Sequence, residues 1–299
     1  MESALAVAYV RAFNSPGVVT VKLDTKTGAL DVRSRTVRPD GAEMIESLPS
    51  EPFKRMAAQT AKHAVLRYIH DLEREKVMRD VAEHKGELAS GVVDRIEAGT
   101  VFVDLGRIEG VMPPEEQIPG EQLHPGKPVL VVILEAQRNP RQAQVRVSRA
   151  ARSFVHRLLE AEVPEIKAGT VQIRSIAREP GLRTKVAVAS TQPGLDPVGA
   201  CVGPKGVRHR AILSELGNEH VDIVPWSDDA EVFVASSLGP AKAEGVSIDR
   251  GTRTATVLVP RGQLSLAIGR DGQNARLAAK LTGFRIDIKP SESDDEATQ

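Results

Sequence analysis

Cys201-Val202-Gly203-Pro204-Lys205-Gly206 and, 66 residues later, Ala267-Ile268-Gly269-Arg270-Asp271-Gly272 carry the same turn, an apolar residue followed by Gly-x-x-Gly. The glycine pair alone says little, because 24 glycines scattered over 299 residues give about two such pairs by chance. The context is what repeats. Each turn is followed by a segment of helical period with a basic face, Arg208 and Arg210 in the first copy and Arg276 and Lys280 in the second. Each of those segments ends at a glycine where a helix C-cap belongs, Gly217 or Gly283. An alternating strand comes next, Val221-Asp222-Ile223 or Ile286-Asp287-Ile288. A whole structural unit is duplicated, not a dipeptide accident.

Upstream of each turn stand a helix and a strand pair. In the first copy the strands are Val171 to Ile176 and Lys185 to Ala189; in the second, a helix over Ala230 to Leu238 leads to Val246 to Asp249 and Thr254 to Val259. Helix-strand-strand-helix-Gly-x-x-Gly-helix-strand is similar to the prokaryotic-type KH domain. Glycine without a Cβ lets the backbone come close to a sugar-phosphate chain, and the helix that follows offers its N–H groups and positive dipole end. A loop of this kind clamps about four nucleotides of single strand. The candidate contacts are Gly203, Pro204, Lys205, Gly206, Arg208 and Arg210 in the first copy; in the second they are Gly269, Arg270, Asp271, Gly272, Gln273, Asn274 and Arg276. The competing reading of each turn is a plain tight connection between two helices.

A chain of this length, 41% hydrophobic, is too long for one ordinary core and suits a string of small modules. Lys plus Arg equals Asp plus Glu at 40 each, so any affinity for polyanions has to come from local patches. One such patch is residues 136–159, where Arg138, Arg141, Arg146, Arg149, Arg152 and Arg157 occur without an acid; the last nine residues are acidic. The single cysteine, Cys201, excludes an internal disulfide framework and suits a reducing cytoplasm; it reads as a small core residue, not a nucleophile. The N-terminal apolar run ends by Val10, far short of a membrane span, so no membrane association is expected. His209 reads as a solvated helix residue, not a ligand, and no residue cluster points to a metal or a cofactor.

Residues 1–84 read as a helix (Glu2 to Phe13), a hairpin of Val18 to Leu23 with Leu30 to Val32 around a turn at Asp24 to Gly28, and a long helix opened by Ser50 and Pro52. In that helix Phe53, Ala57, Ala61, Val65, Tyr68 and Leu72 follow helical steps and predict one apolar face. From Gly86 the texture changes to five short strands in about 65 residues, which suggests an OB-type barrel over 85–151. The succession Val103-Asp104-Leu105-Gly106, Glu109-Gly110-Val111-Met112-Pro113, His124-Pro125-Gly126 and Val147-Ser148-Arg149 resembles the RNA-binding module repeated in the largest protein of the ribosomal small subunit. Phe102, as a stacking surface or alternatively as core, and Arg146 and Arg149, as phosphate contacts, are the candidates there.

Taken together, the chain resembles the NusA family of bacterial transcription factors. The resemblance is carried by Glu162-Val163-Pro164-Glu165-Ile166, by Asp196-Pro197-Val198-Gly199-Ala200-Cys201-Val202-Gly203 and by the run from Ala267 to Ala278, and it extends from about Glu2 to Pro290. It implies an α+β multidomain protein: an N-terminal α/β polymerase-binding domain with a long helix (1–84), a five-stranded OB-type barrel (85–151), two tandem prokaryotic-type KH domains (152–226 and 227–290) and an acidic tail (291–299). It also implies a monomeric, cytoplasmic, non-enzymatic factor that binds RNA polymerase and single-stranded nascent RNA, works with other antitermination factors and modulates pausing, termination and antitermination. The chain departs from the family pattern in opening where a first helix is normally complete, in the pair His209-Arg210 after the first loop, and in Phe284 where tryptophan is common. The rival is a ribosome-associated or other structural single-strand RNA-binding protein. An exoribonuclease would need a catalytic core for which no stretch remains, and a GTPase would need the Gly-x-x-x-x-Gly-Lys-Ser/Thr motif, which the sequence lacks.

Overall fold

The computed structural model of the chain describes residues 1–15, 17–24, 27–38, 41–138 and 143–291. The acidic stretch 292–299, Arg141 and the turn residues Thr25 and Lys26 lie outside them. The chain is a mixed α+β multidomain protein divided into two compact units, residues 1–79 and 80–299.

In the first unit, helix α1 (Glu2–Phe13) precedes strands β1 (Val18–Leu23), β2 (Leu30–Val37) and β3 (Glu43–Leu48), which form an antiparallel sheet in that order. The third strand was not anticipated: Glu43-Met44-Ile45-Glu46 has no period-2 alternation, and its residues up to Ser47 are exposed on both faces. The core is small, with Leu5, Tyr9, Val19, Val21, Val32, Phe53 and Ala57 buried together. Tyr9 meets Phe53 edge-on at 5.0 Å and donates its hydroxyl to the Pro49 carbonyl. Helix α2 (Lys54–Glu83) buries only the start of the apolar face expected of it. Phe53 and Ala57 are buried, but Val65, Tyr68 and Leu72 are exposed. The reason is length: a 30-residue helix runs about 45 Å, twice the reach of strands of six to eight residues.

The second unit opens with a closed barrel of β4 (Leu88–Glu97), β5 (Thr100–Asp104), β6 (Glu109–Met112), β7 (Pro128–Arg138) and β8 (Ala143–Ser148), paired in the order β4-β5-β6-β8-β7. Alternate residues (Val93, Val101, Val103, Met112, Val129, Val131, Val145, Val147) fill its interior, as the period-2 pattern requires. There follow α3 (Arg152–Glu162), α4 (Pro164–Lys167), β9 (Val171–Glu179), β10 (Arg183–Ser190), α5 (Pro197–Val202), α6 (Val207–Leu216) and β11 (His220–Pro225). Then come α7 (Ala230–Ser237), β12 (Gly245–Asp249), β13 (Thr254–Val259), α8 (Leu264–Ile268), α9 (Gln273–Thr282) and β14 (Arg285–Pro290). The sheets β9-β10-β11 and β12-β13-β14 each pair their first two strands antiparallel and add the last one parallel to the middle strand.

The two repeats share a core. Ala177, Ala187 and Val224 from the first sheet pack on Phe233, Leu277 and Leu281 from α7 and α9, with Trp226 at the edge. Lys185, fully buried in that joint, donates to Asp222 (3.0 Å) and to the Gly239 carbonyl (2.8 Å); burial lowers its pKa. The barrel is fastened as firmly to the first repeat. Arg149, 2% exposed, donates to Glu121 (2.8 Å), the Leu130 carbonyl (2.6 Å) and both the carboxylate and the carbonyl of Glu215 at the end of α6. Among the described residues no helix is long and apolar enough to cross a membrane.

Candidate nucleic-acid interface

The two Gly-x-x-Gly turns trace one backbone path. Gly203 and Gly269 have φ/ψ of 73°/171° and 77°/171°, Lys205 and Asp271 of 52°/23° and 51°/29°, Gly206 and Gly272 of 72°/21° and 72°/14°. Only glycine adopts the first of these readily, and a non-glycine residue in the left-handed region is the kind of strain found at functional sites. The first glycine of each turn also allows a close approach. A Cβ on Gly203 would lie 2.8 Å from the Arg208 side chain, and one on Gly269 2.8 Å from the Cβ and backbone nitrogen of Asn274. Pro204, Lys205, Arg270 and Asp271 at the tips are exposed, as a surface that receives a sugar-phosphate strand must be.

The side chains behind the tips repeat as well. Five residues after the first glycine, Arg208 donates to the Ala200 carbonyl (2.6 Å) and to Glu165 (2.8 Å). Its counterpart Asn274 is buried and donates to the carbonyls of Leu266 (3.3 Å), Ala267 (3.0 Å) and Leu238 (2.9 Å), while its Oδ1 has no partner. Both residues satisfy orphan carbonyls at the end of the helix before the turn. Asn274 has no surface, a correction to its assignment as an RNA contact, while Arg208 is half-buried and spends one guanidinium nitrogen on its bonds to Ala200 and Glu165. Seven residues after the first glycine, Arg210 donates to the Lys205 carbonyl (2.7 Å) and Arg276 to the Asp271 carbonyl (3.2 Å). Each arginine thereby fastens the residue held in the left-handed conformation. His209 is half-buried; its Nε2 lies 2.8 Å from the Val221 carbonyl and ties α6 to β11.

The electrostatics of the copies differ. Glu179, at the end of β9 in the first repeat, accepts from Arg276 Nε (2.7 Å) and Nη2 (3.0 Å) and from Gln273 (3.1 Å), with Lys280 at 3.6 Å. Hydrogen bonding by Arg276 holds the Glu179 carboxyl down at about 2. Arg276 and Gln273, assigned to RNA, are therefore engaged by a carboxylate. Among the described residues Arg210 has no carboxylate partner. Cys201 is buried, and burial pushes its thiol up to about 11, which suits a core residue.

Of the arginine run of 136–159, Arg152 is exposed and three others are engaged within the protein, while the side chains of Arg138 and Arg141 lie outside the described residues. Arg149 is internal, a correction to its assignment as a phosphate contact. Arg146 is held by Glu115 (3.0 Å) and Glu116 (2.9 Å), and Arg157 by the Gly86 carbonyl and Glu160. Phe102 is half-buried on the barrel wall, but its ring is capped by Arg95, whose Cζ stands 3.9 Å from the centroid. Arg95 is in turn gripped by Glu109, Asp94 and Glu97, which raise its pKa. The carboxylates that disarm these groups lie 14 residues or more away in sequence for Glu109, Glu115, Glu116 and Glu179. No local signal could have exposed them.

Family models match three successive segments: an S1 RNA binding domain over residues 83–148, a NusA-like first KH domain over 149–226 and a NusA-like second KH domain over 230–296. Relatives named transcription termination/antitermination protein NusA include those of three bacteria. That of Bacillus subtilis is 41% identical over 318 residues, 98% of this chain and 85% of its own length. The Mycobacterium tuberculosis protein is 41% identical over 300 residues, covering 97% of this chain and 86% of its own. The Thermus thermophilus protein is 42% identical over 256 residues, covering 85% and 66%.

Proposed function

The chain belongs to the NusA family of transcription termination/antitermination proteins, and from that premise we propose that it is a factor that rides on RNA polymerase and grips nascent single-stranded RNA to modulate pausing, termination and antitermination. The observation that carries the RNA half of this reading is the pair of Gly-x-x-Gly turns with the same φ/ψ in one compact unit. Gly203, Pro204, Lys205, Gly206, Gly269, Arg270, Asp271 and Gly272 form the gripping surface, with Arg210 beside the first turn. The barrel of 85–151 is fastened to the first KH domain through Arg149 and contributes its Phe102 face only when Arg95 swings away.

The polymerase half rests on residues 1–84. This segment holds no phosphate-type loop, yet it exposes an apolar stripe of Val65, Tyr68, Ile69 and Leu72 along α2. Such a stripe marks a protein-binding surface. The factor acts as a cytoplasmic monomer and performs no reaction of its own.

Titration of labelled RNA across a salt series tests the first half. Single strand is bound in preference to duplex, and log affinity falls with log salt by about 0.7 per phosphate contact. A flat salt response or equal affinity for duplex refutes it. Removing residues 1–84 abolishes co-purification with polymerase and leaves RNA affinity nearly intact; co-purification with ribosomes instead would favour the structural RNA-binding rival.

A further inference from the structure

The guanidinium of Arg276 is shared between the two KH domains. Its Nε and Nη2 meet both carboxylate oxygens of Glu179 in the first domain (2.7 and 3.0 Å), while its Nη1 reaches the Asp271 carbonyl inside the second turn (3.2 Å). A guanidinium is planar and rigid, so fixing one edge bidentately fixes the direction of the other. Glu179 is itself steadied, being 16% exposed and hydrogen-bonded by Gln273 at the start of α9. The first turn has the equivalent inner contact, Arg210 to the Lys205 carbonyl, without an outer carboxylate among the described residues.

We propose that Glu179 is a positioning residue for RNA recognition at the second turn: acting through Arg276, a carboxylate of the first KH domain sets the Asp271 carbonyl and holds the Gly269–Gly272 turn ready for a phosphate. The inference rests on the reading of these turns as RNA clamps. It gives the two turns different modes of action. At the first, cationic charge is available to the ligand through Lys205 and Arg210. At the second, the Arg276 charge is neutralised by Glu179 and the exposed Arg270 is offset by Asp271 3.7 Å away, so affinity there leans more on backbone geometry fixed in advance.

Two effects oppose each other on removing Glu179. An anion near the RNA disappears, which helps binding, and the turn loses its outer anchor, which harms it. Salt separates them, since the electrostatic effect weakens as ionic strength rises. Loss of preorganisation is not screened.

The test uses the full chain and a labelled single strand long enough to span both turns, titrated at low and at high salt. Glu179→Ala is expected to weaken binding about threefold to tenfold at both, with the salt slope unchanged. Glu179→Gln, which keeps an acceptor oxygen, rescues part of the loss, and Arg276→Lys, which keeps the charge but not the fork, reproduces it. Amide hydrogen exchange at Asp271 and Gly272 accelerates in Glu179→Ala while Lys205 and Gly206 exchange as in the unaltered protein; a general loss of fold would accelerate both turns. Unchanged affinity, or tighter binding with a steeper salt slope, overturns the proposal and makes Arg276 a phosphate contact that Glu179 restrains. If the unaltered protein itself binds no RNA, the functional reading falls, and the exchange pattern still decides whether the relay exists.

Discussion

The first and second Gly-x-x-Gly turns follow the same backbone path to within a few degrees, yet their electrical surroundings differ. The first carries Lys205 at its tip and has Arg210 behind it without a carboxylate partner among the described residues. The second carries Asp271 at the matching place, and its arginine is paired to Glu179 from the neighbouring domain. Backbone conformation and charge have been varied independently. What the copies keep in common are the residues that make the conformation possible: two glycines, a cap for the preceding helix, and an arginine fastened to the tip carbonyl. A clamp for a polyanion can evidently be kept as a shape while its charge is redistributed.

The sharpest way to break the symmetry is through the first glycine of each turn. In Gly203→Ala the new methyl meets the Arg208 stem, which can shift by loosening its bonds to Ala200 and Glu165; in Gly269→Ala it meets the backbone nitrogen and Cβ of Asn274, which cannot. Both variants also carry the cost of a conformation reserved for glycine, about 1–3 kcal/mol. Gly269→Ala is expected at or above the top of that range and Gly203→Ala near the bottom, read from thermal or denaturant unfolding. Equal destabilisation would mean that the cap residues yield alike in both turns.

Charge at the tips should separate the copies next. Pro204→Asp combined with Lys205→Asp places two anions against the ligand and is expected to lower RNA affinity about tenfold or more, since a charged hydrogen bond contributes roughly 1.5–3 kcal/mol. Arg270→Asp should cost less than tenfold, because Arg270 already lies 3.7 Å from Asp271 and its field is partly cancelled. Aspartate tolerates the left-handed conformation of position 205, so circular dichroism should show both variants folded. Variants that stay folded and bind RNA like the unaltered protein would reduce the turns to helix connections.

The smallest effect is on pH. Glu179 has its pKa depressed in the folded protein, so its contribution is complete above the ordinary carboxylate range and is lost as pH falls through about 2. Acidification from neutrality to about pH 4.5 should therefore leave the joint between the KH domains unchanged. Trp226, the single tryptophan, packs 6.4 Å from Phe233 in that joint and reports on it by fluorescence. A transition centred well above pH 4 in the native protein would show that Glu179 is not the group that holds it.

Features governed by neighbours in sequence were legible from the start. Helix α1 runs from Glu2 to Phe13 as read, the barrel has the five short strands expected of it, and both turns with their helices are in place. The third strand of the first unit was not legible, since it is exposed on both faces and carries no period. Nor was the fate of the arginines. The residue types that bind phosphate are the same ones that bind carboxylate, and a linear sequence does not say which anion will be nearest. Arg149 and Arg276 look alike on paper, yet one is a buried strut between barrel and KH domain and the other spans two KH domains.

By itself the sequence determined the modules, their order and the conformation of the turns, because helix caps, strand alternation and positive φ at glycine are set within a few residues of chain. Tertiary structure alone decided which cations remain available to a ligand. Folding brought Glu179 to Arg276, Glu215 to Arg149 and Glu109 to Arg95 across 14 to 97 residues, and an ion pair depends on distance in space.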